Sequence, residues 1–160
     1  MTQTEITEYL HDREIEYSLL EHNSDALTSE KAAELRNVPL VEMIKSMVFL
    51  DDQREVVVAI VPAERKVDLG ALRETANISS LKFADEEVIE EDLGYTIGAI
   101  PPFFPDNDCP IYVDTEIFQN NKINFSSGRP DAGVEVEISE FERILEEFDT
   151  ERASIGDPPE

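Results

Sequence analysis

Three stretches of this chain carry side chains that could do chemistry together. The first is Met43 to Leu50, where Lys45 opens a run of β-forming apolar residues. Strand alternation puts Lys45 on the same face as Met47 and Phe49. A cation among apolar neighbours is costly to bury alone. It either snorkels to water at the strand end or meets an anionic ligand. The second is Gly98-Ala99-Ile100-Pro101-Pro102. Glycine lets backbone approach a ligand closely and proline stiffens the loop, so such a loop can present N–H and C=O groups to a small polar molecule. It can equally be a stiff connection packed by Phe103 and Phe104. The third is Asp114 with the run Gln119 to Pro130, which is rich in turn formers and includes Ser126-Ser127-Gly128. Lys122 and Arg129 in that run suit either solvent or phosphate.

Other reactive groups are sparse. Cys109 is the single cysteine, so no internal disulfide can form. The two histidines, His11 and His22, make no zinc-spaced cluster with it. No metal and no cofactor are expected, and Cys109 reads as a small loop residue before Pro110.

The elements that must position these groups follow from periodicity. Helical spacing covers Thr4 to His11, Thr28 to Arg36, Asp68 to Ala76 and Asp85 to Leu93. Thr28 and Asp85 serve as N-caps, and Gly94 stops the last of these helices. Pro39 suits a short helical turn through Met43. Strands are expected at Glu14–Glu21, Ile44–Leu50, Val56–Val61, Leu81–Phe83, Ile111–Val113, Ile123–Phe125 and Val134–Ile138. Val56–Val61 is apolar throughout, the pattern of a strand buried on both faces. Ser139 and Glu142 fit a capping box for a last helix reaching Phe148. The expected organisation is one mixed α/β or α+β domain over residues 1–148, with 149–160 as an acidic, flexible tail.

Charge is the unusual feature. Thirty-seven acids oppose thirteen bases, for a net charge of −24. Dense carboxylates on a folded chain suggest adaptation to molar salt, where they keep the surface hydrated. Such charge ordinarily opposes a nucleic-acid partner. At 1 M salt the repulsion is screened within about 3 Å, so recognition would rest on shape and hydrogen bonds. Ile117 to Pro130 contains no acid at all. No apolar run approaches the length of a membrane span, and no signal pattern opens the chain. The expectation is a cytosolic monomer with no membrane partner.

Taken in order, these stretches resemble the YbaK and prolyl-tRNA synthetase editing-domain family over roughly residues 10 to 147. Lys45, in Ile-Lys-Ser-Met-Val-Phe, sits where that family has a functional lysine at the head of a core strand. Gly98 to Pro102 matches its Gly-x-x-x-Pro substrate loop. Pro62 and Asp68-Leu69 resemble the turn after its next strand, and Asp114 and Ser126-Ser127-Gly128 have counterparts. The resemblance implies a largely antiparallel β core or barrel wrapped by helices. It implies a trans-acting deacylase that hydrolyses the ester of mischarged tRNA, of the Cys- or Ala-tRNAPro class. Lys45 and Gly98 would then be catalytic, and Ala99, Ile100, Pro101, Pro102, Asp114, Ser126, Ser127 and Gly128 would bind substrate. Mischarged aminoacyl-tRNA is the implied partner, with prolyl-tRNA synthetase or another synthetase beside it. The chain departs from the pattern at Pro101, where many members carry a small polar residue. It also lacks the late histidine of some alanine-specific members. The competing reading is a non-catalytic module that binds the aminoacyl-tRNA 3′ end or a nucleotide.

Overall fold

In the computed structural model, which describes residues 4–26 and 28–157, two sheets face each other across the main apolar core. Helix α1 (Glu5–Asp12) is held at its start by a reciprocal pair: the Thr7 N–H donates to Thr4 Oγ1, and the Thr4 N–H to Thr7 Oγ1. Strand β1 (Ser18–Glu21) is shorter than the expected Glu14–Glu21. Glu14 takes a left-handed φ of 56°, which breaks the extended run before pairing begins. Helix α2 (Ser29–Arg36) is capped by Thr28 and closed by Asn37 in the left-handed conformation.

A short 3-10 turn (Leu40–Glu42) leads into β2 (Ile44–Asp51), which pairs antiparallel with β3 (Val56–Pro62). After β4 (Lys66–Val67), helix α3 (Leu69–Ala76) is capped by Asp68. Strand β5 (Leu81–Phe83) precedes a helical segment that begins as α4 (Glu86–Val88) and runs on as a π turn to Leu93. Gly94, at φ 82°, ends it as expected. Strand β6 (Ile111–Asp114), a 3-10 turn, β7 (Lys122–Arg129), β8 (Ala132–Glu137), α5 (Ile138–Leu145), β9 (Thr150–Ala153) and β10 (Gly156–Asp157) complete the order.

The larger sheet runs β5-β2-β3-β6-β9, the second β1-β8-β7, and β10 pairs with β4. Pairing is antiparallel except for β3–β6 and β6–β9. Fold class is therefore mixed α+β with mostly antiparallel sheets. No sheet closes into a barrel among the described residues, so of core or barrel, the open form is correct. Central β3 is buried almost throughout, as its uninterrupted apolar run requires. One face, with Val58 and Ile60, meets Ile123, Phe125, Val134 and Val136 of the second sheet. Its other face, with Ala59 and Val61, packs on Leu72 of α3. An isolated parallel bridge between Met43 and Asn124 joins the two sheets at the start of β2.

Two further expectations are corrected. Residues from 149 do not hang free: β9 adds to the large sheet beside β6, and Ile155 is fully buried against Phe49 and Leu72. An edge strand satisfies its backbone through the ladder whatever its side chains, so polar composition did not betray it. Residues 158–160 of the expected tail lie outside the described residues. The Ser139–Glu142 capping box does not form either. Helix α5 begins at Ile138 with Glu137 as N-cap and no side-chain cap, because the Ile138 N–H donates to the Asn121 carbonyl at 2.9 Å. That partner is remote in sequence, and it leaves Ser139 inside the helix.

Candidate functional site

The cavity that concerns function is walled by elements from six separate stretches. It has a volume of about 330 Å3. Strand β2 supplies Lys45 and Ser46, the loop after the π turn supplies Gly98 and Ile100, β7 supplies Ser126, and α2 supplies Arg36. Met43, Ile44, Val48, Ala84 and Ile89 make the rest of the wall largely apolar. Two exposed apolar side chains, Phe83 at 61% and Ile97 at 45% exposure, also border it.

Lys45 is half-buried at the head of β2. Burial holds its ammonium below the ordinary lysine pKa, partly offset by the carboxylate of Glu30 on α2. The cavity wraps the start of β2, so residues of both faces border it, while Phe49 turns into the α3 side of the sheet. Next to Lys45, the Ser46 hydroxyl donates to the Pro101 carbonyl at 2.8 Å. That bond ties the loop to the strand. The loop is anchored from below by fully buried Ala99 and Phe103, with Pro101, Pro102 and Phe104 also buried. Gly98 itself is exposed and sits at φ 92°, a left-handed conformation that explains the glycine. Among the described residues its N–H has no protein acceptor, whereas the Ala99 N–H closes a turn onto the Thr96 carbonyl at 2.9 Å.

The structure thus brings together Lys45, Gly98, Ile100 and Ser126 around one hollow, and holds Ala99, Pro101 and Pro102 as the loop's buried footing. It does not bring Asp114, Ser127 or Gly128 there. Asp114 is buried at the end of β6 and accepts the Ile155 and Gly156 N–H groups at 3.1 and 3.2 Å. Ser127 is fully buried and donates to the Ala132 carbonyl at 2.8 Å, across the bulge between β7 and β8. Gly128, at φ 99°, faces the Tyr95 ring, where a Cβ would lie 3.0 Å from a ring carbon. These three residues shape the scaffold. Lys122 and Arg129 pair with Glu135 and Asp131 on the surface. Burial pushes the Cys109 thiol up to about 11, so it is no nucleophile near neutrality.

Arg36, Glu30, Ser29 and Ser46 are polar lining residues that motif reasoning passed over. Ser46 was within the quoted Lys45 stretch, but a serine on a strand has no local mark of its partner. Arg36 stands in the last turn of a helix, where a cation ordinarily complements the helix dipole, so nothing local distinguished it.

Comparison with known proteins agrees with this architecture. The aminoacyl-tRNA editing domain model matches residues 23–144. The prolyl-tRNA editing protein ProX of Acetoanaerobium sticklandii is 29% identical over 119 residues, covering 73% of this chain and 71% of that protein. A proline–tRNA ligase of Thermosipho africanus is 33% identical over 96 residues, covering 59% of this chain but only 17% of the ligase. The crystal structure of hypothetical protein APE2540 superposes with a TM-score of 0.85 at 22% identity, covering 96% of this chain and 100% of that one. Among the described residues no helix is long and apolar enough to cross a membrane.

Proposed function

The chain belongs to the aminoacyl-tRNA editing domain family, and from that premise we propose that it is a trans-acting deacylase that hydrolyses the ester of mischarged tRNA. The observation that carries this reading is the meeting of Lys45 and the Gly98 loop around one hollow of about 330 Å3, locked by the Ser46–Pro101 hydrogen bond. That space suits an amino-acid ester on a terminal ribose, with an apolar wall for a small side chain.

In this reading the Lys45 ammonium attracts an oxygen of the aminoacyl ester as a charged hydrogen-bond donor. Half-burial strengthens that attraction, because the cation is incompletely hydrated before the ligand arrives. The free Gly98 N–H points its dipole at the oxyanion that develops when water attacks the ester carbonyl. The ester is an activated bond, so holding water and carbonyl in register supplies much of the rate. A hydroxyl or amine of the substrate orients that water, and no protein nucleophile takes part. The Cys- or Ala-tRNAPro class is the proposed substrate, supported by the likeness to a prolyl-tRNA editing protein and to part of a proline–tRNA ligase. A synthetase that charges the same tRNA is the proposed partner.

The test is hydrolysis of a panel of tRNAs charged with cysteine, alanine, serine or proline. Release of cysteine or alanine well above the spontaneous rate, with prolyl-tRNAPro spared, is the expected result. Tight binding of the panel without turnover would instead establish a non-catalytic aminoacyl-tRNA binding module.

A further inference from the structure

We infer that Arg36 is the anion-binding residue of the cavity, and that it takes the 5′-phosphate of the nucleotide whose ribose carries the ester. The identity of the ligand rests on the editing reading. The anion site itself rests on three features of the molecule.

The first is position. Arg36 lines the same cavity as Lys45, Ser46 and Ser126, and so presents a second cation to whatever enters it. The second is its unsatisfied state. Its Nη1 is closed off from solvent and has no hydrogen-bond partner. Its Nε donates a long hydrogen bond to His22 Nε2 at 3.5 Å, while His22 Nδ1 is engaged at 2.7 Å with the Ser24 carbonyl. In a chain with 37 acids, no carboxylate among the described residues pairs with this guanidinium. Leaving a half-buried cation without an anion is costly, and a helix-end arginine serving the dipole alone would keep its head in water. The third is the space made for it. The guanidinium lies on Gly133 of β8, where a Cβ would stand 2.2 Å from Cζ and 2.3 Å from Nε and Nη1. Gly133 has no left-handed φ to require glycine, and glycine weakens a strand interior. Room for the arginine head accounts for it.

A planar guanidinium with free N–H groups matches a phosphate through parallel charge-assisted bonds, which a lysine cannot supply. With Arg36 on the phosphate, Lys45 is left for the ester end of the same nucleotide. Two cations then bracket one terminal residue of the tRNA. This suits a protein whose net negative charge allows little attraction to the rest of the polyanion.

The test titrates adenosine 5′-monophosphate, adenosine and inorganic phosphate into the wild-type chain and into Arg36→Met, followed calorimetrically. The wild type should bind the monophosphate at least tenfold more tightly than adenosine. Arg36→Met should lose that preference while its affinity for adenosine stays the same, which a merely structural role would not produce. Should Arg36→Met fail to fold, Arg36→Lys keeps the charge without the fork and should cut the preference at least threefold. An absent preference in the wild type, or one retained in the folded variant, overturns the inference. Inorganic phosphate binding as tightly as the monophosphate would reassign the site to a free anion and overturn the nucleotide assignment. No ester is involved in these ratios. A wild type that prefers the monophosphate but deacylates nothing upholds the phosphate site and removes the editing reading. One that deacylates tRNA without the preference removes the phosphate site alone.

Discussion

The Ser46 hydroxyl and the Pro101 carbonyl, 55 residues apart in sequence, meet in a 2.8 Å hydrogen bond at the edge of the cavity. Ser46 follows Lys45 directly on β2, and Pro101 lies three residues after Gly98 in the same loop. The bond therefore sets the spacing between the cation and the free N–H across the hollow. Buried Ala99, Phe103 and Phe104 hold the loop down, and this polar contact ties it to the strand.

Removing that contact by Ser46→Ala should cost about 0.5–1.5 kcal/mol of stability and lower kcat/KM for deacylation by about tenfold, since small misplacements of reacting groups are expensive. Urea unfolding and single-substrate kinetics on the same preparation read both effects. Unchanged kinetics would mean that apolar packing alone sets the loop.

Lys45→Ala should lower deacylation by about 100-fold or more, the scale of losing an electrostatic contact to the reacting group. Its melting temperature should not fall, because the wild-type ammonium is already held below its ordinary pKa by burial. Thermal melts beside the hydrolysis assay separate the two. Full turnover in the variant would remove Lys45 from the site.

The C-terminal segment is part of the fold, so its loss should be felt at a distance. Ile155→Ala empties a fully buried position and should cost about 2–5 kcal/mol. Asp114→Ala leaves the Ile155 and Gly156 N–H groups without their acceptor, at about 1–3 kcal/mol each if they stay buried. Urea midpoints measure both, and neither variant should change the ratio of activities among charged tRNAs.

Acid should weaken one link between α1 and the C-terminal end of α5. The Tyr9 hydroxyl donates to Glu147, and Arg13 Nε lies 2.9 Å from it. These contacts, Tyr9 first, hold the Glu147 carboxyl below its ordinary 4.5. A depressed carboxyl binds its proton less readily in the folded state than in the unfolded one. Its contribution is therefore present above the unfolded value and is lost as pH falls through the folded one. Between pH 5 and pH 3, the melting temperature of Glu147→Gln should fall less steeply than that of wild type. The pair is exposed, so the difference is small.

The net charge of −24 gives a prediction of its own. If the carboxylate surface is an adaptation to molar salt, the melting temperature should rise steadily from dilute buffer to molar potassium chloride as self-repulsion is screened. Equal stability at both ends would remove the salt-adaptation reading.

Local physical chemistry was legible in the chain. The caps at Thr28 and Asp85, the stop at Gly94 and the doubly buried β3 each depend on a few neighbouring residues, and each appears where the residue types require. Lys45 and Gly98 could be singled out as well, because a cation heading an apolar strand and a glycine before two prolines are locally unusual. Which side chains share a hollow is a different matter, since it depends on how separate stretches pack. Only the tertiary structure turned Arg36 from a helix-end cation into a cavity wall over Gly133. It also made Asp114 an acceptor for backbone 41 and 42 residues later. Helix and strand signals act over one or two turns of chain, whereas a site is made by contacts whose partners no local pattern names.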